Sequence, residues 1–575
     1  MRPYRDTGFL IVVGALERAE KHFRAAFSSS GAVSWAGAVR MRFGNSALWA
    51  FSIRHVENHA FVELAGGDAC LWYSGLLRDV PGGDAALVDA ICRSAGRLFA
   101  TLNGEFSAVC LDQVSGRIYA GADFFASRCL FYAEASGLVI ISSSATAIIK
   151  LLQGSMSIAE EVIARHLILG QPHCADNGET FYREMRILCP GEVLQVSVGS
   201  GKAAVRKYEH KMPACDRPAN SLDGLLNHFG YLFESAVKAR VGATLTRLLI
   251  SGGVDSTAVA VALKRIGLDP TRVVLTSCSF GETFPLDDSS LAISSAESLG
   301  FHIDVISRSS ERLVYPCASS VPWCDKPMTL AASLDSAGAI VGSDPVLTGL
   351  GADELFESAF LRALAFRNRL MEMKRRIRAA LHLQGRATVK TCEWIHGRWR
   401  NAMEDWQRTV DWSDWRSALH SGFAQTDVEG IDKNGIVKLD VLSPFHDLAV
   451  VGLVVGLDSS RFERDGAKRT GCRKSLLRGY IEPYVERAVS RRPKVPAGNV
   501  AFALFAQSAP DLRTIRELDH AAELLGRFIQ WDKMPMPGID KPWENLYPWL
   551  ACLSLSSWYF HTSEVSSWMQ FASKK

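Results

Sequence analysis

Leu248-Leu249-Ile250-Ser251-Gly252-Gly253-Val254-Asp255-Ser256-Thr257 decides the fold, because an apolar strand runs through two glycines directly into the start of a helix. Adjacent glycines let a backbone approach an anion closely, and loop amides with a helix N-terminus aim partial positive charge at it. Ser251 and Ser256 add hydroxyl donors to the Ser251, Gly252, Gly253, Val254, Asp255, Ser256 loop. Asp255 would repel a polyphosphate unless a divalent cation lay between them, which a Mg2+·ATP site supplies. The Gly-Lys-Ser/Thr ending of a Walker loop is missing, so this is a phosphate loop of another kind.

The neighbouring pattern agrees. Leu222–Arg240 has the periodicity of an amphipathic helix, and expected strands at Leu245–Ile250, Val273–Phe280, His302–Ile306 and Val346–Thr348 alternate with helices at Thr257–Ile266 and Ser289–Leu299. Such alternation means βαβ units and a parallel sheet, whose ligands bind beyond the carboxyl ends of the strands. Beyond Glu354 the pattern turns mostly helical, with Leu448–Leu457 as a core helix.

Upstream the character differs. Phe9–Val13, Leu48–Arg54, Ala60–Leu64, Phe106–Asp112, Arg117–Ala120, Cys129–Ala133 and Leu138–Ser142 read as strands, with helical periodicity at Ala15–Phe27, Ala85–Leu98 and Ile158–Leu169. This predicts an α+β layered domain ending near Val205, followed by an aperiodic linker over Met212–Ser221.

Composition bounds the rest. A chain of 575 residues, 48% hydrophobic, with 64 Lys+Arg against 61 Asp+Glu and a net charge of +3, is globular and long enough for two to four domains. Neither wholesale disorder nor a nucleic-acid partner is indicated by so balanced a charge. Thirteen cysteines without paired or CxxC spacing point to a reducing, cytoplasmic compartment rather than to disulfides or a zinc ribbon. No window reaches the ~18–20 apolar residues of a membrane span. The run Phe9–Leu16 is followed by Glu17-Arg18-Ala19-Glu20-Lys21 where a signal cleavage site would lie, so it reads as a first strand.

The loop Ser251–Ser256 resembles the pyrophosphate loop of the ATP pyrophosphatases, and further segments extend the likeness to the asparagine synthetase superfamily. Thr348-Gly349-Leu350-Gly351-Ala352-Asp353-Glu354-Leu355-Phe356 is similar to its second signature, and Ser443-Pro444-Phe445-His446-Asp447 to its Pro-Phe-x-Asp segment. Arg473-Lys474-Ser475-Leu476-Leu477-Arg478 and Arg491-Arg492-Pro493-Lys494 resemble its closing basic motifs. In the first half, Leu102-Asn103-Gly104-Glu105-Phe106 and Asp123–Tyr132 resemble the core of its glutaminase domain. The resemblance implies an amidotransferase-like (Ntn-type) sandwich over residues 1–210, then an adenylating, amide-forming ATP pyrophosphatase domain over 211–575 with a helical C-terminal part. Residues 360–435 and the last sixty stay unplaced.

By that resemblance Gly349 and Gly351 belong to the ATP site, and Asp255 and Asp353, on one sheet edge, share a Mg2+ bridging the phosphates. Glu354 is equally suited to capping the helix that begins there. Lys474 would bind the leaving pyrophosphate, and Lys494 would stabilise charge developing at the acyl-adenylate and tetrahedral intermediate.

Two departures redirect the expected activity. The family's amidotransferases begin Met-Cys-Gly, whereas the aligned dipeptide here is Thr7-Gly8 behind six residues, with neither thiolate nor free amine, so glutaminase activity is not expected. Leu350 replaces the Glu of asparagine-forming members and the Tyr of β-lactam-forming ones, and leucine moves no proton. ATP activation of a carboxylate, followed by attack of an amine whose nitrogen comes from a source other than glutamine, then fits a lasso peptide cyclase best. Its substrate would be a precursor peptide, and its partners a leader-peptide-recognition protein and a cysteine protease. A β-lactam synthetase-like reaction on a small amino-acid derivative is the alternative, followed by asparagine formation from free ammonia and by a catalytically dead scaffold. The basic and aromatic insertion Arg362–Arg416 reads as a solvated helical face with core tryptophans, or else as a peptide-docking surface.

Overall fold

The computed structural model describes residues 8–15, 34–43, 46–53, 68–78, 83–152, 155–169, 178–208, 221–242, 245–279, 281, 287–307, 346–356, 392–402, 428–432, 435–439, 441–457, 474–492, 522–534, 549, 551–552, 555–556 and 558–559. Expected elements at Ala60–Leu64 and Ala15–Phe27, the linker, Thr7, Lys494 and most of the 362–416 insertion lie outside them.

Among the described residues the first half holds eleven strands: β1 (Gly8–Ala15), β2 (Ser34–Phe43), β3 (Ser46–Ile53), β4 (Ala69–Leu77), β5 (Gly104–Asp112), β6 (Arg117–Ala122), β7 (Phe131–Ala135), β8 (Leu138–Ser142), β9 (Met185–Ile187), β10 (Glu192–Ser197) and β11 (Lys202–Lys207). They form two sheets, ordered β2-β3-β1-β8-β7-β9 and β11-β10-β6-β5-β4. β1 shows why its sequence is apolar throughout. Successive side chains of a strand face opposite sides, so Phe9, Ile11 and Val13 fill the space between the sheets with Trp72, Val109 and Ile118. Leu10 and Val12 point the other way, onto helices α2 (Ala145–Leu151) and α3 (Glu160–Leu169). Helix α1 (Gly83–Arg93) covers the outer face of the second sheet through Leu87, Val88 and Ile91. The result is a helix, sheet, sheet, helix sandwich.

The expected strand at Cys129–Ala133 begins only at Phe131. The turn before it is gathered around the buried Asp123 carboxylate, which accepts from the amides of Phe106, Phe125 and Ser127 and from the Ser127 hydroxyl at 2.7–3.2 Å. Those bonds satisfy the backbone in a turn rather than a ladder.

After helix α4 (Leu222–Lys238), capped by Ser221, comes a five-stranded sheet. Its strands are β12 (Thr246–Leu249), β13 (Val273–Ser279), β14 (His302–Ser307), β15 (Val346–Leu347) and β18 (Val441–Leu442). They lie in the order β14-β13-β12-β15-β18, every pair parallel. Helices α5 (Val254–Arg265) and α6 (Ser289–Leu299) connect the first three, and α7 (Leu448–Gly456) follows the last. From β12 the chain moves outward to β13 and β14, then returns across β12 to β15. That reversal puts a crevice at the carboxyl ends of β12 and β15, where doubly wound sheets bind ligands.

Two expectations need correction. Helix α5 begins at Val254, not Thr257, because Gly253 already has the extended geometry of a cap, so Asp255 and Ser256 ride on the first helical turn. The described residues beyond Glu354 are mostly helical, as expected, with two additions: a hairpin joins β16 (Val428–Asp432) to β17 (Gly435–Leu439), and β18 completes the parallel sheet. A two-residue strand carries no periodicity to read. The helix expected at Ala85–Leu98 stops at Arg93, where Ala95 and Gly96 take positive φ, and resumes as a 3-10 turn at Arg97–Thr101.

Trp394 and Trp399 of the insertion are buried, with the Trp399 ring 5.1 Å from Phe528 and its indole N–H donating to the Arg527 carbonyl. Trp549 and Trp558 are buried too, and Phe181 lies 5.3 Å from Trp558. These late residues share one apolar core with β1 and helices α2 and α3.

Candidate functional site

The glycines of the phosphate loop are explained by what surrounds them. Gly252 has φ +70°, and a Cβ there would come within 2.8 Å of the Asp288 carbonyl and 2.9 Å of Leu291, on the first turn of α6. Only glycine combines that backbone with that approach. The hydroxyls close the loop on itself: the Ser251 amide donates to Ser256 Oγ at 3.2 Å, and the Gly253 amide reaches Ser251 Oγ at 3.4 Å.

The second loop, Thr348–Asp353, lies directly against the first. A Cβ on Gly349 would sit 2.6 Å from the Ser256 amide and 2.8 Å from the Asp255 carbonyl carbon, so the two loops touch through bare backbone. Gly351 turns the chain with φ +84° into the short helix that carries Asp353 and Glu354. Burial pushes the Glu354 carboxyl up, and the neighbouring Asp353 charge pushes it further in the same direction. Glu354 is a half-buried acid on the same short helix as Asp353.

Lys474 arrives from far along the chain to meet these loops. Its side chain is 7% exposed, and its ammonium lies 2.7 Å from both carboxylate oxygens of Asp255 while also bonding Asp353. Lys474 precedes helix α8 (Ser475–Ile481) and has φ +58°, a left-handed conformation costing about 1 kcal/mol or more for a side-chain-bearing residue. Strain of that kind persists where the surroundings dictate the position.

The structure thus brings together Ser251, Gly252, Gly253, Val254, Asp255, Ser256, Gly349, Gly351, Asp353 and Lys474. Lys494 lies outside the described residues, but the approach to it is defined. Arg478 donates to the carbonyls of Ser490 (2.6 Å) and Arg492 (2.8 Å), and the Arg492 guanidinium pairs with Asp288 beside the phosphate loop. Sequence reasoning missed Asp288, which no motif marked.

The two acids pass a simple test for a magnesium site. One cation, the Lys474 ammonium, already contacts both carboxylates, so they converge on a single point. Hard oxygen donors numbering one or two, completed by phosphates and water, are what Mg2+ ordinarily takes from a protein. Among the described residues no cluster of three or more His, Cys, Asp or Glu side chains forms a self-sufficient metal cage. No helix there is long and apolar enough to cross a membrane.

A second constellation lies where the sandwich meets the parallel sheet. The Glu105 carboxylate on β5 accepts from Arg240 Nε at 2.6 Å, from the Ser443 amide at 3.2 Å and from His446 Nδ1 at 3.1 Å. Asp447 pairs with Arg78 and accepts from Asn103 Nδ2 at 3.3 Å. Two segments recognised separately in the sequence, Leu102–Phe106 and Ser443–Asp447, are therefore one interface.

Comparison with known proteins agrees with this architecture. The family model described as asparagine synthase matches residues 228–523, more than half of the chain, and the glutamine amidotransferase domain model matches residues 83–209. No curated protein matches the sequence. Among solved structures, the allosteric regulatory enzyme of purine biosynthesis is 12% identical with a TM-score of 0.24, over 56% of this chain and 82% of that one. Glutamine phosphoribosylpyrophosphate amidotransferase from B. subtilis, complexed with ADP and GMP, is 11% identical with a TM-score of 0.22, over 60% and 77%. What the family models and the sheets establish is an amidotransferase-like sandwich followed by an ATP-dependent, amide-forming ligase, and the chain belongs to the asparagine synthase family.

Proposed function

We propose that this ligase closes a macrolactam ring in a lasso peptide: it adenylates an Asp or Glu side chain of a precursor peptide, and the peptide's own N-terminal amine then attacks. In the first step a carboxylate oxygen bonds the α-phosphorus of ATP, and the α–β anhydride breaks to release pyrophosphate. In the second the amine bonds the acyl carbon, AMP leaves, and the amine gives up a proton. The observation that carries the reading is Leu350. It stands 47% exposed on the loop that presents Asp353, where relatives by resemblance carry a proton-moving side chain.

Each residue has a task in this scheme. The Ser251–Ser256 amides and hydroxyls, with Gly349 and Gly351 shaping the crevice, cradle the phosphates. Asp255 and Asp353 would hold Mg2+, which would supply neutralisation of the phosphate charge. Lys474 would hold the departing pyrophosphate, and Lys494 would stabilise the charge that develops at the acyl carbon. Holding both ends of one peptide together removes the entropy cost of a bimolecular encounter. Residues 1–210 would serve as a docking and structural domain and 211–575 as the catalytic one. The protein would work in the cytoplasm beside a leader-peptide-recognition protein and a cysteine protease, with no nucleic-acid partner.

The test is incubation of the full chain with Mg2+·ATP and a linear core peptide. Loss of one water from the peptide, with equimolar AMP and pyrophosphate, is expected. Pyrophosphate formation only with a small amino-acid derivative would favour β-lactam-type closure instead, and formation only with aspartate and ammonia would favour asparagine synthesis.

A further inference from the structure

Ser443 touches both halves of the molecule. Its amide donates to the Glu105 carboxylate, 3.2 Å from each oxygen, and its hydroxyl donates to the Leu350 carbonyl at 2.6 Å. One residue earlier, the Leu442 carbonyl accepts from the Thr348 amide at 3.0 Å. The loop that carries Asp353 is therefore suspended at Thr348 and at Leu350 from the end of β18, and that end is gripped by a carboxylate of the amidotransferase-like sandwich. Glu105 is 2% exposed and is itself held by Arg240 and His446. Its oxygens are thus held by partners on more than one side.

We infer that Glu105 and Ser443 are positioning residues for the ATP site, so that the amidotransferase-like domain sets where Asp353 stands relative to Asp255. This rests on the reading of Asp255 and Asp353 as the carboxylates that face Mg2+·ATP. The physical reason is geometric. Gly349 meets the Asp255 and Ser256 backbone with no side chain of its own, so what ties the two carboxylates together is the Lys474 ammonium, which comes from a third segment. The Asp353 carboxylate is 43% exposed and gains no rigidity from burial. The hydrogen bonds to Thr348 and Leu350 supply what the glycine contact lacks. On this account the sandwich is required by the ATP site as a rigid mount.

The test uses the full-length protein and a non-hydrolysable analogue, α,β-methylene-ATP, titrated calorimetrically with and without Mg2+. Ser443→Ala removes the hydroxyl that holds Leu350, and losing one buried hydrogen bond at this hinge should weaken Mg2+-dependent binding about tenfold. Binding in EDTA should weaken less than in Mg2+, since without the cation the Asp353 carboxylate bears on the phosphates only through Lys474. Ser443→Thr keeps a hydroxyl and should restore most of the loss, and Glu105→Gln, with its charge removed, should shift binding in the same direction as Ser443→Ala. A uniformly destabilised protein would lose both components together and would not be rescued. The inference is overturned if Ser443→Ala binds the Mg2+ complex like wild type, if the loss is equal with and without Mg2+, if Ser443→Thr is as weak as Ser443→Ala, or if Glu105→Gln is silent. If the wild-type protein itself binds no Mg2+ analogue complex, the reading of the ATP site fails first, and that outcome is visible before any variant is made.

Discussion

The Lys474 ammonium lies 2.7 Å from both carboxylate oxygens of Asp255, across 219 residues of sequence, and also bonds Asp353. A single positive charge thus bridges two acids that would otherwise repel each other beside the phosphate loop, and leaves one negative charge uncompensated there. The lysine side chain is 7% exposed and Asp255 25%, so water screens that pair less than it screens the contact with Asp353, which is 43% exposed.

Replacing Lys474 by Met should leave the fold near intact while removing the charge that receives pyrophosphate. The expected loss in ATP–pyrophosphate exchange is about 10²–10³-fold, the usual effect of deleting one preorganised electrostatic group. Lys474→Arg should not rescue it, since a planar fork does not fit where a compact ammonium meets two carboxylates. Exchange within threefold of wild type in Lys474→Met would remove this lysine from the site.

Asp255 and Asp353 should report through magnesium. In Asp255→Asn or Asp353→Asn, the Mg2+ concentration giving half-maximal AMP formation should rise by tenfold or more, while high Mg2+ partly restores the rate. A two-carboxylate site depends on each donor, because the remaining ligands are phosphates and water. The measurement is AMP release over a Mg2+ series at fixed ATP. Unchanged Mg2+ dependence in both variants would mean that the acids serve only Lys474.

How much of this was legible in the sequence follows from how local each feature is. Ser251–Ser256 could be read because strand, glycines and helix follow one another within ten residues. The parallel sheet could be read for the same reason, since each βαβ unit announces itself by alternation. Lys474 could be named by resemblance, yet its place between two acids could not, because nothing in a spacing of 219 residues encodes a contact. Glu105 stood in a recognised segment, but its partners Arg240, Ser443 and His446 come from the other half of the chain. Helix α5 starts three residues early because a glycine cap with extended ψ leaves Val254 free to begin the helix, a backbone fact that residue type alone leaves open. Strand β18 escaped notice because two residues show no period.

Gly252 and Gly267 make a controlled pair. Both have φ +70°, but a Cβ at Gly252 would meet the Asp288 carbonyl at 2.8 Å, whereas nothing lies within 4 Å at Gly267. Gly267→Ala should cost only the left-handed backbone term, about 1 kcal/mol, with ATP use preserved. Gly252→Ala adds displacement of the first turn of α6 and should cost about 2–4 kcal/mol in urea unfolding and most of the activity. Equal costs would show that packing against α6 contributes nothing.

Acid should loosen the grip between the two halves in a definable window. Burial alone would push the Glu105 carboxyl up, but the Arg240 guanidinium and His446 hold it down at about 2 against an ordinary 4.5. A depressed carboxylate pKa contributes stability that is fully present above the unfolded value and is lost as pH falls toward the folded one. Glu105 therefore stabilises the protein above about 4.5 and ceases to do so between there and about 2. Urea midpoints of the full chain measured from pH 5.5 downward should fall, and Glu105→Gln, which carries no titrating proton, should show a flatter decline from a lower starting point. Parallel declines in the two proteins would show that the acid sensitivity arises elsewhere, and that the Glu105 contacts with Arg240 and His446 contribute no net charge stabilisation.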